Sequence, residues 1–194
     1  MDFRLITAPA SEPVSSADAQ EHLRAPTNGP DAALISAYLQ AAREAVENHT
    51  GRALMPQTWE LRLPEFPVGA ITLPVPPLMS VTSLRYTSAA GADTLMDTAA
   101  YQVEASSGPT AQPALLWPAA GTVWPVTRLD DRAAVRVRFQ AGYTNAAAVP
   151  AALRAAILLV LGELYENREA SAAKPLSEIP AVRRLLDPYR VRWL

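Results

Sequence analysis

The chain has 194 residues, no cysteine, and 17 basic against 19 acidic side chains, a net charge of −2. These numbers exclude disulfides, thiolate catalysis and cysteine-based zinc sites, and they predict no general attraction to nucleic acid or to an anionic membrane. With 49% hydrophobic and 19% charged residues the composition is globular, and at this length roughly 70% of the unfolded surface is buried on folding, enough for a core without staples.

The opening residues, Met1 to Pro9, lack the apolar run of a signal peptide, and no stretch approaches the roughly 20 apolar residues that span a bilayer. A soluble protein is expected. Residues 1–13 read as an extended arm ending at Pro13. Ser15 is placed to cap a short helix that ends near Leu23, with Asp18 three residues on completing a capping-box-like pair. Thr27-Asn28-Gly29-Pro30 is a turn. A second helix is predicted from about Asp31 to Thr50, because Leu34, Ile35, Tyr38, Leu39, Ala42, Ala45 and Val46 recur at 3.6-residue spacing. Arg43, Glu44 and Glu47 take its other face, and Gly51 is its stop.

The character changes at Leu54. Thr58 to Leu63 alternates polar and apolar, the period of a half-buried strand. Further strands are predicted at 70–73, 81–86, 101–104 and 134–139, separated by turns at 74–77, 91–93 and 106–109. Short strands with regular turn signals indicate an antiparallel meander or small barrel rather than βαβ units. Between about 105 and 131, Pro113, Pro118 and Pro125 argue for loop with short edge strands.

Helical spacing returns after Pro150 and runs to about Arg168, with Leu153, Ile157, Leu158, Val160, Leu161, Leu164 and Tyr165 on a broad apolar face. Ala170 to Pro175 is a small-residue hinge. A last helix, about 178–187, carries Ile179, Val182, Leu185 and Leu186 on one side and is stopped by Pro188. The expected fold is α+β: a helical core of long antiparallel helices with an inserted antiparallel β subdomain and an extended C-terminal arm. Its segments are 1–53 (arm and core helices), 54–145 (β-rich insertion), 146–187 (core helices) and 188–194 (docking arm).

The residues that carry chemistry are sparse. Asp18 and His22 share a helix face, as a metal or acid–base pair or as a local surface ion pair. His49 sits where a cation suits a helix C-terminus. There is no HExxH, no phosphate-cradling glycine loop and no GxSxG or SxxK nucleophile motif. Two carboxylate pairs, Asp130 with Asp131 and Glu163 with Glu166, could serve a small carboxylate-based hydrolase if a pocket brought them together; their settings otherwise read as turn chemistry and a solvated helix face. A nucleic-acid or regulatory binding module would need a clustered basic face beyond the tail. No catalytic, cofactor or metal residue is therefore expected.

Two features remain. Trp117-Pro118 and Trp124-Pro125 flank a short loop and serve either as indoles covering the sheet in a hairpin or as an exposed rim for a neighbouring subunit. The tail interleaves Arg183, Arg184, Arg190 and Arg192 with Tyr189 and Trp193, residue types enriched at binding hot spots. It either packs back on its own domain or grips a partner.

Taken in order, several pieces carry a resemblance. They are Leu5-Ile6-Thr7-Ala8-Pro9 with Glu12-Pro13-Val14-Ser15, Asp18 to Arg24, Asp31-Ala32-Ala33-Leu34-Ile35, Ala41 to Leu54 and Gln57-Thr58-Trp59. Val135 to Tyr143, Val149 to Leu159, Leu164 to Glu169 and Leu185-Leu186-Asp187-Pro188-Tyr189-Arg190 complete the set. Through these the chain resembles the head–tail connector (neck adaptor) proteins of long-tailed phages, prophages and gene transfer agents; residues 86–131 match least. The resemblance implies a non-enzymatic structural subunit without a cofactor. It implies a ring of twelve copies beneath the portal protein, lining a channel through which DNA passes without sequence-specific binding. It implies that the other face of the ring receives a stopper or tail-completion protein, and that no membrane is involved. Portal docking is implied for Tyr189, Arg190, Val191, Arg192, Trp193 and Leu194. The implied location is the neck of a virion or phage-like particle, after synthesis in the host cytoplasm.

Overall fold

The strand-patterned and the helix-patterned stretches fall in separate units, and residues 1–10 join the strands rather than the helices. The computed structural model describes residues 2–26, 29–167 and 179–191. Among them are eight strands and four α-helices, a mixture of antiparallel sheet and helix. They form two units: Met1–Ala10 with Pro56–Gly142, and Ser11–Met55 with Tyr143–Leu194.

The first unit holds the strands β1 (Asp2–Thr7), β2 (Gln57–Leu63), β3 (Ile71–Leu73), β4 (Leu78–Thr87), β5 (Asp93–Leu95), β6 (Tyr101–Glu104), β7 (Ala114–Pro118) and β8 (Val135–Ala141). Five form one antiparallel sheet in the order β1-β2-β8-β4-β5, and three form a second in the order β3-β7-β6. The clearest alternation gives the central strand: in β8, Val135, Val137, Phe139 and Ala141 are buried while Arg138 and Gln140 are exposed. Leu61 of β2 and Leu84 of β4 both pair with Val137, so the apolar row runs across three strands. A one-residue slip would turn that whole row to solvent, which fixes the register.

Three strands differ from the sequence expectation. The stretch read as the start of an extended arm is β1, whose partner β2 lies some fifty residues further on. Asp93, read as a turn residue, begins β5. Ala114–Pro118 is the central strand of the three-stranded sheet rather than an edge. Its two prolines are tolerated because Pro113 precedes it and Pro118 ends it.

The second unit holds α1 (Ser16–His22), α2 (Ala32–Thr50), α3 (Ala151–Glu166) and α4 (Pro180–Leu186). Ser15 caps α1 by accepting the Asp18 N–H at 3.1 Å. Gly51 closes α2 in the left-handed region at φ 71°, a conformation that glycine adopts without penalty. Ile35, Leu39, Ala42 and Val46 of α2 meet Leu153, Ala156, Ile157, Val160 and Leu161 of α3, with Val182 and Leu186 of α4 completing the core. The Tyr165 hydroxyl donates to the Asp31 carboxylate at 2.7 Å, tying the end of α3 to the start of α2. Gly162 of α3 faces α1, and a Cβ there would lie 3.8 Å from His22 Nε2, an ordinary contact distance.

One residue of α2 departs from its expected face. Arg43 is buried and holds Glu47 at 2.5 Å, Glu12 at 2.8 Å and Glu44 at 3.4 Å, so it fastens the segment before α1 to α2 instead of facing solvent.

Candidate docking interface

The C-terminal segment leaves α4 through a short 3-10 turn at Asp187–Tyr189, forced by Pro188. The next side chains alternate: Tyr189 is half-buried against the helical core, Arg190 is exposed, and Val191 is buried. Two backbone contacts hold the segment there. The Val191 N–H donates to the Thr50 carbonyl at 2.8 Å, and the Tyr189 carbonyl accepts from Arg52 Nε. Thr50 is the last residue of α2, so its carbonyl has no donor in the helix ladder and is open to Val191, while its hydroxyl bonds the Val46 carbonyl at 2.8 Å.

Arg52 is the centre of this clasp. It follows the left-handed turn at Gly51, is 1% exposed, and hydrogen-bonds both the Tyr189 backbone and the Tyr143 hydroxyl. Burial lowers its pKa from the ordinary guanidinium value, and Tyr143 opposes that shift. Burial likewise raises the Tyr143 hydroxyl, and the facing guanidinium opposes it. Gly51 also makes room: a Cβ there would sit 3.4 Å from Val191 Cβ. The clasp is thus built from Gly51, Arg52, Tyr143, Tyr189 and Val191. Of the six residues for which the resemblance implies docking, Arg192, Trp193 and Leu194 lie outside the described residues.

The carboxylate pairs do not converge on a reaction centre. Asp130 accepts from Arg128 at 2.6 and 3.0 Å, and that ion pair draws its pKa below the usual range. Asp131 accepts the Ala133 N–H at 2.9 Å and the Thr87 hydroxyl at 2.8 Å, with the same effect. Both are turn fasteners. The Glu163 backbone carbonyl receives Asn167 at the end of α3. Among the described residues no group of three or more His, Cys, Asp or Glu side chains is placed to hold a metal ion.

Basic residues do gather on one sheet face, but they are already paired. Glu60 accepts from Arg62 at 2.8 Å, Arg138 at 2.8 Å and Arg4 at 3.1 Å. Burial pushes the Glu60 carboxyl up, and the three guanidinia outweigh it, holding the pKa at about 2. Arg85 and Arg136 share Asp93.

The tryptophans part company. The exposed Trp117 donates Nε1 to Glu104 at 3.0 Å. Trp124 stacks on Phe66 with ring centroids 4.9 Å apart and donates Nε1 to the Gly69 carbonyl at 2.8 Å. Residues 119–127 form no strand, so the two indoles do not flank a hairpin.

No protein-family model and no curated protein matches the chain. Solved structures do. A chain in the virion of the native gene transfer agent particle matches at 28% identity with a TM-score of 0.79, covering 100% of this chain and 97% of that one. A chain in the neck of the empty particle, a structure computed with sixfold symmetry, matches at 28% identity and a TM-score of 0.80 over the same shares. The protein is a neck protein of the phage and gene-transfer-agent kind. A chain in the native neck, a structure computed with twelvefold symmetry, agrees at 26% identity and a TM-score of 0.77. The role of such a neck protein is structural, a connector in the particle. Among its described residues no helix is long and apolar enough to cross a membrane.

In this neck protein the residues that matter most to the tail are not legible as such. Arg52 and Tyr143 lie ninety-one positions apart, and a charged residue after a helix stop reads as solvent-facing. The signal that is present is the alternation Tyr189-Arg190-Val191, which matches a segment lying on a surface with every second side chain inward.

Proposed function

We propose that the chain is a non-enzymatic head–tail connector subunit. Copies of it, twelve in the assembled particle, form a ring beneath the portal protein with DNA passing through its channel, and the opposite face receives a stopper or tail-completion protein. The long helices α2 and α3 run antiparallel as the rigid frame of each subunit. The C-terminal segment grips the portal, with Arg190, Arg192, Trp193 and Leu194 as the contacting residues and Tyr189 and Val191 holding the root of the segment on its own subunit. The observation that carries the connector reading is the full-length likeness to chains in neck structures computed with sixfold and twelvefold symmetry.

The test separates docking from folding. Removing residues 192–194 spares the Tyr189 and Val191 contacts. The shortened protein is expected to keep its melting temperature and to lose attachment to purified portal-bearing heads by at least tenfold in a sedimentation assay. Unchanged attachment would sink the docking role.

A further inference from the structure

One face of the five-stranded sheet carries a row of like charges. Arg62 of β2 lies in register with Arg136 of β8, and Arg136 with Arg85 of β4, so three guanidinium groups stand side by side across neighbouring strands. At about 4.8 Å per strand the row is roughly 10 Å wide. One step along the same face, Arg4 of β1 and Arg138 of β8 flank Glu60 of β2. Like charges directly opposite one another destabilise a sheet, so this row costs the fold stability.

The carboxylates organise these arginines without neutralising them. Glu60 holds Arg4, Arg62 and Arg138, and Asp93 holds Arg85 and Arg136. Five guanidinium groups share these two acids, with Asp2 in register at the outer end of the row. Nε of Arg136 finds no acceptor among the described residues. The Glu60 side chain is 6% exposed, against 51% for Arg4 and 46% for Arg138, so at this point the negative charge lies beneath the positive. A chain with a net charge of −2 thus turns a positive surface outward here.

The chemistry of the face selects its partner. The next register positions along it are Thr58, Gln140 and Ser80, again hydrogen-bonding side chains. The nearest apolar side chain in register is Leu95, beyond Arg85 on β5. The centre of a protein–protein interface needs apolar anchors, which these positions lack. Guanidinium, hydroxyl and amide groups spread over a flat surface are instead the set that meets phosphate oxygens without reading bases. Duplex DNA, with one negative charge per about 1.7 Å of axis, is a polyanion that such an array matches along its whole width.

We infer that this arginine face is the surface through which the subunit meets the phosphate backbone of duplex DNA. The contact rests on the reading of the chain as a connector around a DNA channel, and it adds which surface is turned to that channel. Contacts to phosphate alone hold every sequence equally.

The chain has no cysteine, so a single introduced one can carry a label. Ser83 lies in register with Arg138, and Ser80 with Gln140, on this same face. Ser83→Cys and Ser80→Cys, made separately, are alkylated with an azidophenacyl photo-label, assembled into particles and irradiated. Both are expected to become linked to DNA in filled particles and to give no such product in empty ones. Adding Arg85→Gln and Arg136→Gln to the Ser83→Cys chain should cut the DNA-linked fraction roughly threefold or more, because two phosphate contacts per subunit are lost. The melting temperature should not fall, because the like-charge row is relieved. Linkage to protein instead of DNA, whether another copy or a different chain, overturns this contact and leaves the connector reading standing. So does a DNA-linked fraction that the glutamine substitutions leave unchanged. A parent chain absent from the neck overturns both.

Discussion

Replacing Arg52 with methionine removes the clasp while keeping most of the side-chain volume. The guanidinium makes a charged hydrogen bond to the Tyr189 carbonyl, an interaction worth about 1.5–3 kcal/mol. Its loss also leaves the buried Tyr143 hydroxyl without that partner, at a further cost of about 1–3 kcal/mol. Relief of the desolvation of a buried cation returns part of this, so the net loss is about 2–4 kcal/mol. For a chain of this size that lowers the melting temperature by roughly 5–12 °C. Hydrogen exchange locates the effect. The Val191 amide, bonded to the Thr50 carbonyl, should exchange at least tenfold faster relative to the amides in the middle of α2, because the tail lifts before the core opens. A variant that melts like the parent, or one in which Val191 and α2 accelerate together, would refute the clasp.

Two further outcomes rest on single side chains. The Glu60 carboxyl has a native pKa of about 2 against an ordinary 4.5, so its stabilising contribution is present above about pH 4.5 and is lost as the pH falls towards 2. After allowance for the solvent around Arg4 and Arg138, Glu60→Gln should cost about 2 kcal/mol at pH 7 in urea denaturation and almost nothing at pH 2; a pH-independent difference would show that the arginine cluster does not act through charge. Gly162→Ala should stabilise the helical unit by about 0.5–1 kcal/mol, since the new methyl meets only His22 Nε2 at 3.8 Å while the helix interior gains a better former. A fall in the denaturant midpoint would mean that α1 sits closer to α3 than the structure shows.

The helical unit is the more legible part of the sequence because its signal is local. Ile35, Leu39, Ala42 and Val46, and Leu153, Ile157, Val160 and Leu161, announce their faces by spacing alone. In the strand unit the same holds for β2 and β8, whose alternation is unbroken. β1 reads only as extended chain, because six residues pair with a strand more than fifty positions away and nothing in Asp2–Thr7 points to that partner. β5 is three residues long, and β7 sits between two prolines, which patterning reads as loop. The buried arginines are illegible for a different reason. Patterning assigns charge to solvent, whereas Arg43 and Arg52 are inside because carboxylates and a backbone carbonyl meet them there. At the tail the sequence shows which residue types are suited to gripping a partner, but Tyr189 and Val191 turn towards Arg52 and Thr50, a distribution that depends on where α2 ends.

The interleaved route of the chain has a consequence for its synthesis. The backbone passes between the two units after residues 10, 55 and 142, so each is assembled from two separated stretches. A ribosome delivers β1 first and must complete α1 and α2 before β2 emerges to receive it. The apolar stripe of α2 in turn waits through all seven later strands for α3. Both early segments spend that interval unpaired, and the entropy of closing such long loops makes late, nearly simultaneous consolidation of the two units the expected folding order.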